Sequence, residues 1–314
     1  MNAQPSDAAS RPKAGGTRQA LTAAVVRLLA RRTPYLESEM LGLAELVGPG
    51  SVCVDVGAAA GLYTAMLAQL TGPSGQVLSI EPLSFAHPLW ARVLGVKTAG
   101  NVRWYSLAVS SEAGHGVMSV PKNRGGGKVT GRSFLDSNTT GQGSNAEFAG
   151  QIEVDIEIQT LDGLCAAAGL TRLDFIKIDV EGAELRVLEG GQRTIETYRP
   201  ALLVEIEDRH AERFRSSAAD VVGWLTGRGY AMYKWQDGWR EAGAITAETR
   251  NYLFRPTAGP GEPAGTSAAR LSAAGQSVPQ PASEPQPASE PEAGEPKPAS
   301  DAAPVSAHEP AHLT

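Results

Sequence analysis

What this 314-residue chain lacks narrows it first. It has only two cysteines, Cys53 and Cys165, both inside apolar segments. That number excludes a disulfide framework, the two form no metal-ligand pair, and a reducing cytoplasm is the expected location. No apolar run approaches the ~20 residues of a membrane-spanning helix, so no membrane span is expected. The N-terminus, "MNAQPSDAASRPKAGGTRQA", has no apolar signal core. It reads as a disordered leader over residues 1–19, with a transit peptide as the alternative. Positive charge is not in excess: 28 Lys and Arg stand against 34 Asp and Glu, a net charge of -6. Nothing in that balance points to a nucleic-acid partner.

Large apolar residues are sparse at the far end. From about Thr257 the chain is Pro, Ala, Ser, Glu and Gly, and "PQPASE" occurs twice in succession, at 279–284 and 285–290. Proline at two of every six positions defeats both helix and sheet. With little apolar surface to bury, ordering would cost entropy without return, so 257–314 is expected to be a disordered tail.

What is present lies between these ends, over residues 20–256. "ALTAAVVRLLARR" has an apolar face at helical spacing and predicts a helix packed on the domain, within an N-terminal helical stretch over 20–47. Short β-branched runs follow: "SVCVDV", "QVLSIE", "NVRWYSLAV", "LDFIKIDV", "ALLVEIE", "YAMYKW" and "NYLFRP". Most lack strict polar alternation, as strands covered on both faces do. "LYTAMLAQL", "EGAELRVLEGGQRTIE" and "SSAADVVGWLTGRG" read as helices between them. The alternation predicts an open, mostly parallel α/β sheet of seven strands, its last two runs forming an antiparallel edge hairpin. Between 116 and 158 the rhythm breaks, and "GVMSV" and "QIEVDIEIQT" predict a small β insertion around a Gly- and Ser-rich loop.

In such a sheet the ligand lies beyond the carboxyl ends of the strands. The first strand ends on Asp55 and turns through Gly57 and Gly61. A dinucleotide fingerprint would need glycine at 59 and 62, where Ala59 and Leu62 stand. A phosphate loop would need Lys-Ser or Lys-Thr after the last glycine, where Leu62-Tyr63 stands. Pyrophosphate is therefore disfavoured. An acid at the mouth of an apolar strand suits an ammonium or sulfonium ligand instead. Twenty residues beyond Gly61, the second strand ends on Glu81, placed to accept from both hydroxyls of a ribose. Two acids, a glycine turn and no phosphate site describe an S-adenosylmethionine pocket.

The blocks "VDVGAAAGLYT", "LSIEP", "TLDGL" and "LDFIKIDVEGAELRVLEGGQRTIETYRPALLVEIE" resemble the FkbM family of S-adenosylmethionine-dependent methyltransferases, over roughly 51–256. The resemblance implies a class I, Rossmann-like methyltransferase fold and methyl transfer to a hydroxyl of a sugar or secondary metabolite. The acceptor is accordingly expected to be a small molecule or glycan. It also implies cofactor contacts from Asp55, Gly57, Ala58, Gly61, Tyr63, Thr64, Glu81 and Asp179. One departure is visible: family members often carry Asn where Ala59 stands.

An alcohol acceptor must lose its proton, a task for a carboxylate or histidine. Asp179, at the end of the fourth strand, and Glu181 just after it are the first candidates for catalysis. His210 is a third, against the plainer reading of a solvated loop histidine. Glu184, at a helix start, is favoured there by the helix dipole alone. Lys177 in a central strand needs a partner, and Glu205 on the next strand is expected to supply it; a catalytic Lys177 is the alternative. Asp179, Glu181 and Glu205 offer oxygen ligands for a divalent metal, although nothing in their spacing specifies one. Lys122, Arg124, Lys128 and Arg132 lie on a glycine-rich segment that either closes over an acidic acceptor or is a plain surface loop. Two other functions remain in play: a nicotinamide oxidoreductase on a related sheet, and a non-catalytic binding protein. Oligomeric state is not legible.

Overall fold

The computed structural model describes residues 37–83, 100–129, 132–136, 139–140, 145 and 147–257. The leader, the "ALTAAVVRLLARR" segment and nearly all of the proline-rich tail lie outside the described residues. A 3-10 helix, Ser38–Glu45, comes first. The strands that follow are β1 (Val52–Val56), β2 (Gln76–Ile80), β3 (Val102–Tyr105), β4 (Ala108–Val109), β5 (Gly114–Lys122) and β6 (Phe134–Leu135). After them come β7 (Gly150–Gln159), β8 (Phe175–Ile178), β9 (Ala201–Glu205), β10 (Tyr230–Trp235), β11 (Trp239–Glu241) and β12 (Asn251–Pro256). The α-helices are α1 (Leu62–Thr71), α2 (Leu161–Ala167), α3 (Glu184–Gly190), α4 (Gln192–Tyr198), α5 (Asp208–Ala211) and α6 (Ala218–Thr226).

The main sheet runs β11-β10-β12-β9-β8-β1-β2-β3. Neighbours from β9 to β3 pair in parallel, while β12 is antiparallel to both β9 and β10. The edge differs in detail from the expected hairpin. Trp239–Glu241 in the connection folds back on β10 and becomes the edge, an eighth strand. It leaves β12 between β9 and β10. The insertion forms its own sheet, β4-β7-β5-β6, built on a long β5–β7 hairpin.

Strand alternation sorts the core onto two faces. Val54, Val56, Ile176, Ile178, Leu202, Val204, Tyr252 and Phe254 face α2, α3, α4 and α6. Cys53, Phe175, Leu203 and Leu253 face the 3-10 helix and α1, through Met40, Leu43, Met66 and Leu67. The same alternation carries a polar row along that second face at the carboxyl ends. Asp55 lies opposite Lys177 in register, and Asn251 opposite Glu205.

Two sequence segments split. "NVRWYSLAV" serves both sheets, as β3 and β4. "EGAELRVLEGGQRTIE" is not helical until Glu184, because Glu181 and Gly182 take positive φ, 55° and 105°. It breaks again at Gly190–Gly191, where added Cβ atoms would fall 2.1 Å from the Ser110 carbonyl oxygen and 2.6 Å from Leu161. Asp162 of "TLDGL" fastens the second piece by accepting from the backbone N–H of Thr194 at 2.8 Å. That is a helix-capping role.

Candidate active site

The turn after β1 is pressed onto the end of β8. Gly57 has φ 80°, and a Cβ there would lie 1.7 Å from the Asp179 carbonyl oxygen. Only glycine permits that approach. The N–H groups of Gly57 and Ala58 both donate to the Ile80 carbonyl, at 3.0 Å each. Ala59 also sits at positive φ, 46°, and its N–H donates to Glu81 at 2.9 Å. The other Glu81 oxygen accepts from the Leu83 N–H at 2.8 Å. The carboxylate is thus clamped in one orientation beyond β2. Burial raises its pKa, against the two N–H bonds that lower it.

Two cavities open beyond the carboxyl ends of these strands, and Gly57, Ala59 and Asp179 line both. The smaller, about 160 Å³, is bounded by Glu37, Asp55, Ala58, Tyr63 and Lys177 as well. The larger, about 290 Å³, reaches from Glu81 and Leu83 to Glu181, Glu205 and Arg250. One of its walls comes from the insertion, through Met118 and Leu135.

Asp55 is 1% exposed and accepts from the Thr64 hydroxyl, which also meets Ser79 at 2.8 Å. Burial raises its pKa to about 6, despite that hydrogen bond. Lys177, also 1% exposed, meets Asn251 Oδ1 at 2.8 Å and Asp179 Oδ2 at 3.2 Å, and lies 5.0 Å from the Tyr63 ring centroid. The expected Lys177–Glu205 pair is therefore corrected. Register sets Lys177 opposite Leu203, so the ammonium meets Asp179 on its own strand's end and Asn251 two strands away. Burial alone would lower the Lys177 pKa; the Asp179 and Glu37 carboxylates outweigh that and hold the ammonium charged. A charged lysine is no general base.

Burial opposes ionisation of Asp179, but Lys177 and a hydrogen bond from Glu205 outweigh it and lower its pKa. Glu205 takes the opposite course. Burial and the Asp179 charge push it up to about 10, so at neutral pH it keeps its proton and donates it to Asp179. Two carboxyls this close do not both ionise.

Glu181 and His210 form a second pair, Oε2 to Nδ1 at 2.7 Å. His210 is 3% exposed, not a solvated loop histidine: Gly182 packs against its backbone and α5 holds it behind Glu181. Glu184 accepts from the N–H of Gly182 at 2.9 Å and Val180 at 3.3 Å, bracing the turn that presents Glu181. Among the expected site residues, Asp55, Gly57, Ala58, Tyr63, Glu81, Asp179 and Glu181 line a cavity. Gly61, Thr64 and His210 do not: Gly61 starts α1, and the other two stand behind Asp55 and Glu181. None of Lys122, Arg124, Lys128 and Arg132 lines either cavity. Ser133 of the same segment does line the larger one. Glu37, Asn251 and Arg250 escaped sequence reading, because only tertiary folding brings them here.

The cavities suit S-adenosylmethionine. The acids around the smaller one match a cationic ligand, and the clamped Glu81 matches ribose hydroxyls. The sheet order, with its antiparallel β12 inserted beside β9, is that of a class I methyltransferase. The model of the methyltransferase FkbM domain family matches residues 55–232, and the chain belongs to that family. S-adenosylmethionine is the cofactor that goes with it. Methyltransferase sdnD of Sordaria araneosa is 28% identical over 153 residues, covering 44% of this chain and 59% of that protein. The 2-O-methyltransferase NoeI of Sinorhizobium fredii (strain NBRC 101917 / NGR234) is 29% identical over 150 residues, covering 47% and 60%. The chain thus spans about three fifths of the length of the curated relatives it matches. A solved structure of methyltransferase FkbM from Methylobacillus flagellatus KT aligns with TM-score 0.40 and 16% identity, over 76% of this chain and 60% of that one. No helix among the described residues is long and apolar enough to cross a membrane.

Proposed function

We propose that this chain methylates a hydroxyl oxygen of a small-molecule acceptor, a sugar or natural product, with Glu181 taking the hydroxyl proton. The observation that carries this reading is the Glu181–His210 pair at the wall of the larger cavity, beside an ionised Asp179 that lines both cavities. The relative named for 2-O-methyl transfer supports oxygen as the methylated atom.

When bound, S-adenosylmethionine supplies an electrophilic methyl group on a sulfonium sulfur. The residues mainly align the reactants and exclude water. Glu81 fixes the ribose, and Gly57 lets the turn close on β8. Asp179, tied to Lys177 and Glu205, is a poor base and a good fixed acceptor, so it orients the acceptor hydroxyl. Glu181 Oε1 takes the proton, while His210 Nδ1 stands 2.7 Å from Oε2. His210 is a positioning residue, since it lines neither cavity.

The test is transfer of labelled methyl from S-adenosylmethionine to a panel of hydroxyl compounds. Glu181→Gln should slow turnover by about 10²–10⁴ with S-adenosylhomocysteine affinity unchanged. Undiminished turnover in a folded Glu181→Gln variant removes Glu181 as the base. If Asp179→Asn alone gives that loss at unchanged cofactor affinity, the proton goes to Asp179 instead. No transfer to any hydroxyl overturns the reaction class.

A further inference from the structure

We propose that the acceptor bears a carboxylate besides the hydroxyl that takes the methyl group, and that Arg250 binds this carboxylate while Ser133 bonds a further polar group of the same molecule. The inference rests on the reading of the larger cavity as the acceptor site and names the acceptor class, a sugar acid or similar hydroxy acid. Among the described residues, Arg250 is the sole basic residue lining that cavity, against Glu81, Asp179, Glu181 and Glu205. It stands just before β12, where its carbonyl accepts from the Ile206 N–H at 2.8 Å and fixes it beside the end of β9. Four strand spacings separate β12 from β2, so the backbones at Arg250 and Glu81 leave the sheet roughly 19 Å apart. A ribose held at Glu81 therefore leaves the Arg250 end of the cavity to the acceptor.

Two cations share one anion at that end. Arg209 Nε donates to Glu207 Oε2, and Arg250 Nε stands 3.2 Å from Glu207 Oε1. Burial opposes ionisation of Glu207, but the Arg209 hydrogen bond and the Arg250 charge outweigh it and lower its pKa. Within this trio two guanidiniums face one carboxylate, which leaves one positive charge over. The Arg250 contact is an ion pair without hydrogen-bond geometry, since Glu207 Oε1 accepts from no donor among the described residues. The guanidinium thus keeps its planar fork of N–H donors for a ligand, and that fork matches a carboxylate through two parallel bonds. A phosphate monoester, with close to two negative charges, exceeds the surplus and meets ionised Asp179 on the same cavity wall. Ser133 points to a ligand independently. It is 5% exposed, and its hydroxyl has no hydrogen-bond partner among the described residues. The next residue, Phe134, packs against Ala183 and Phe214, which holds Ser133 on the Glu181 side of the cavity. A buried hydroxyl left unpaired is costly, and an oxygen-rich acceptor supplies the missing bond.

The experiment is calorimetric titration of the full chain saturated with S-adenosylhomocysteine. The probes are glucuronate and galacturonate, the parent sugars glucose and galactose, and the 6-phosphates of both sugars. At least one uronate should bind about tenfold or more tighter than its parent sugar. Arg250→Gln should shrink that margin to within about twofold and leave the melting temperature unchanged, because an exposed ion pair adds little to stability. Ser133→Ala should weaken the uronate about fivefold without lowering the melting temperature, since the hydroxyl it removes is unpaired in the free protein. Equal binding of uronates and sugars, a margin that survives Arg250→Gln, or no uronate binding at all overturns the carboxylate site. Tighter binding of a 6-phosphate overturns it in favour of a phosphorylated acceptor. Unchanged uronate affinity in Ser133→Ala overturns the part given to Ser133. Transfer of labelled methyl to the same compounds is read alongside. Uronate binding that depends on Arg250, with no methyl passed to any hydroxyl, supports the carboxylate site and overturns the hydroxyl as the methylated group.

Discussion

Asp55 shows what a buried carboxyl beside the cleft costs in stability. Its carboxyl is buried and its pKa stands at about 6, above the ordinary 3.8. A group whose folded pKa is raised stabilises the fold below its unfolded value, and that contribution is lost as pH rises through the folded one. Between about pH 4 and 6 the penalty grows to about 3 kcal/mol at most, at 1.36 kcal/mol per unit of pKa. Asp55→Asn keeps the bond to Thr64 and removes the charge. Its melting temperature should exceed that of the unaltered chain at pH 7, the two should converge toward pH 4, and cofactor affinity should fall. Equal melting temperatures at pH 7 would show that Asp55 carries no such penalty. Ala59 is one of the non-glycine residues held at positive φ, 46°. Asn and Gly tolerate that conformation better than Ala. Ala59→Gly should raise stability by about 1 kcal/mol, measured by urea denaturation, and a fall would mean that the alanine methyl matters more than the backbone. Asp55 and Glu81 were legible because strand-ending acids stand out in apolar runs. Glu37 and Asn251 were not, because no spacing rule links a residue before β1, or one on the last strand, to the cleft. Lys177 was read as needing a partner, and the partner was misread because register decides it.

At the scale of elements, the turn between β1 and α1 is the least replaceable part. A methyl group on Gly57 would overlap the Asp179 carbonyl oxygen, and its φ of 80° already disfavours any side chain. Gly57→Ala should therefore destabilise by about 3 kcal/mol or more, combining backbone strain with overpacking at the end of β8. A loss under about 1 kcal/mol would show that the turn can move away. The glycine itself was visible in the sequence, but its contact with β8 was not. Parallel order came through for a physical reason: strands buried on both faces have continuous apolar runs. The breaks within "NVRWYSLAV" and at Gly190–Gly191 did not, since close backbone approach leaves no mark in apolar periodicity. The two extra strands of the insertion were visible as runs, whereas their part in the cleft wall, through Met118 and Leu135, depends on packing.

For the whole molecule, the described domain ends with β12, which pairs between β9 and β10. The residues beyond it, rich in Pro, Ala, Ser and Glu, offer too little apolar surface for a core. A chain ending at Gly259 should keep its melting temperature and its cofactor affinity; a fall of several degrees would show that the tail docks. The central claim concerns the cleft. Titration calorimetry of the full chain with S-adenosylhomocysteine and, separately, NAD tests it most directly, with Glu81→Ala as the variant. S-adenosylhomocysteine should bind at one site and NAD should give no binding heat. Leaving ribose hydroxyls and the N–H donors of Ala59 and Leu83 unpaired costs roughly 1–3 kcal/mol. Glu81→Ala should therefore weaken S-adenosylhomocysteine about 5- to 150-fold. NAD binding at the cleft, or S-adenosylhomocysteine affinity unchanged in a folded Glu81→Ala variant, would contradict the account.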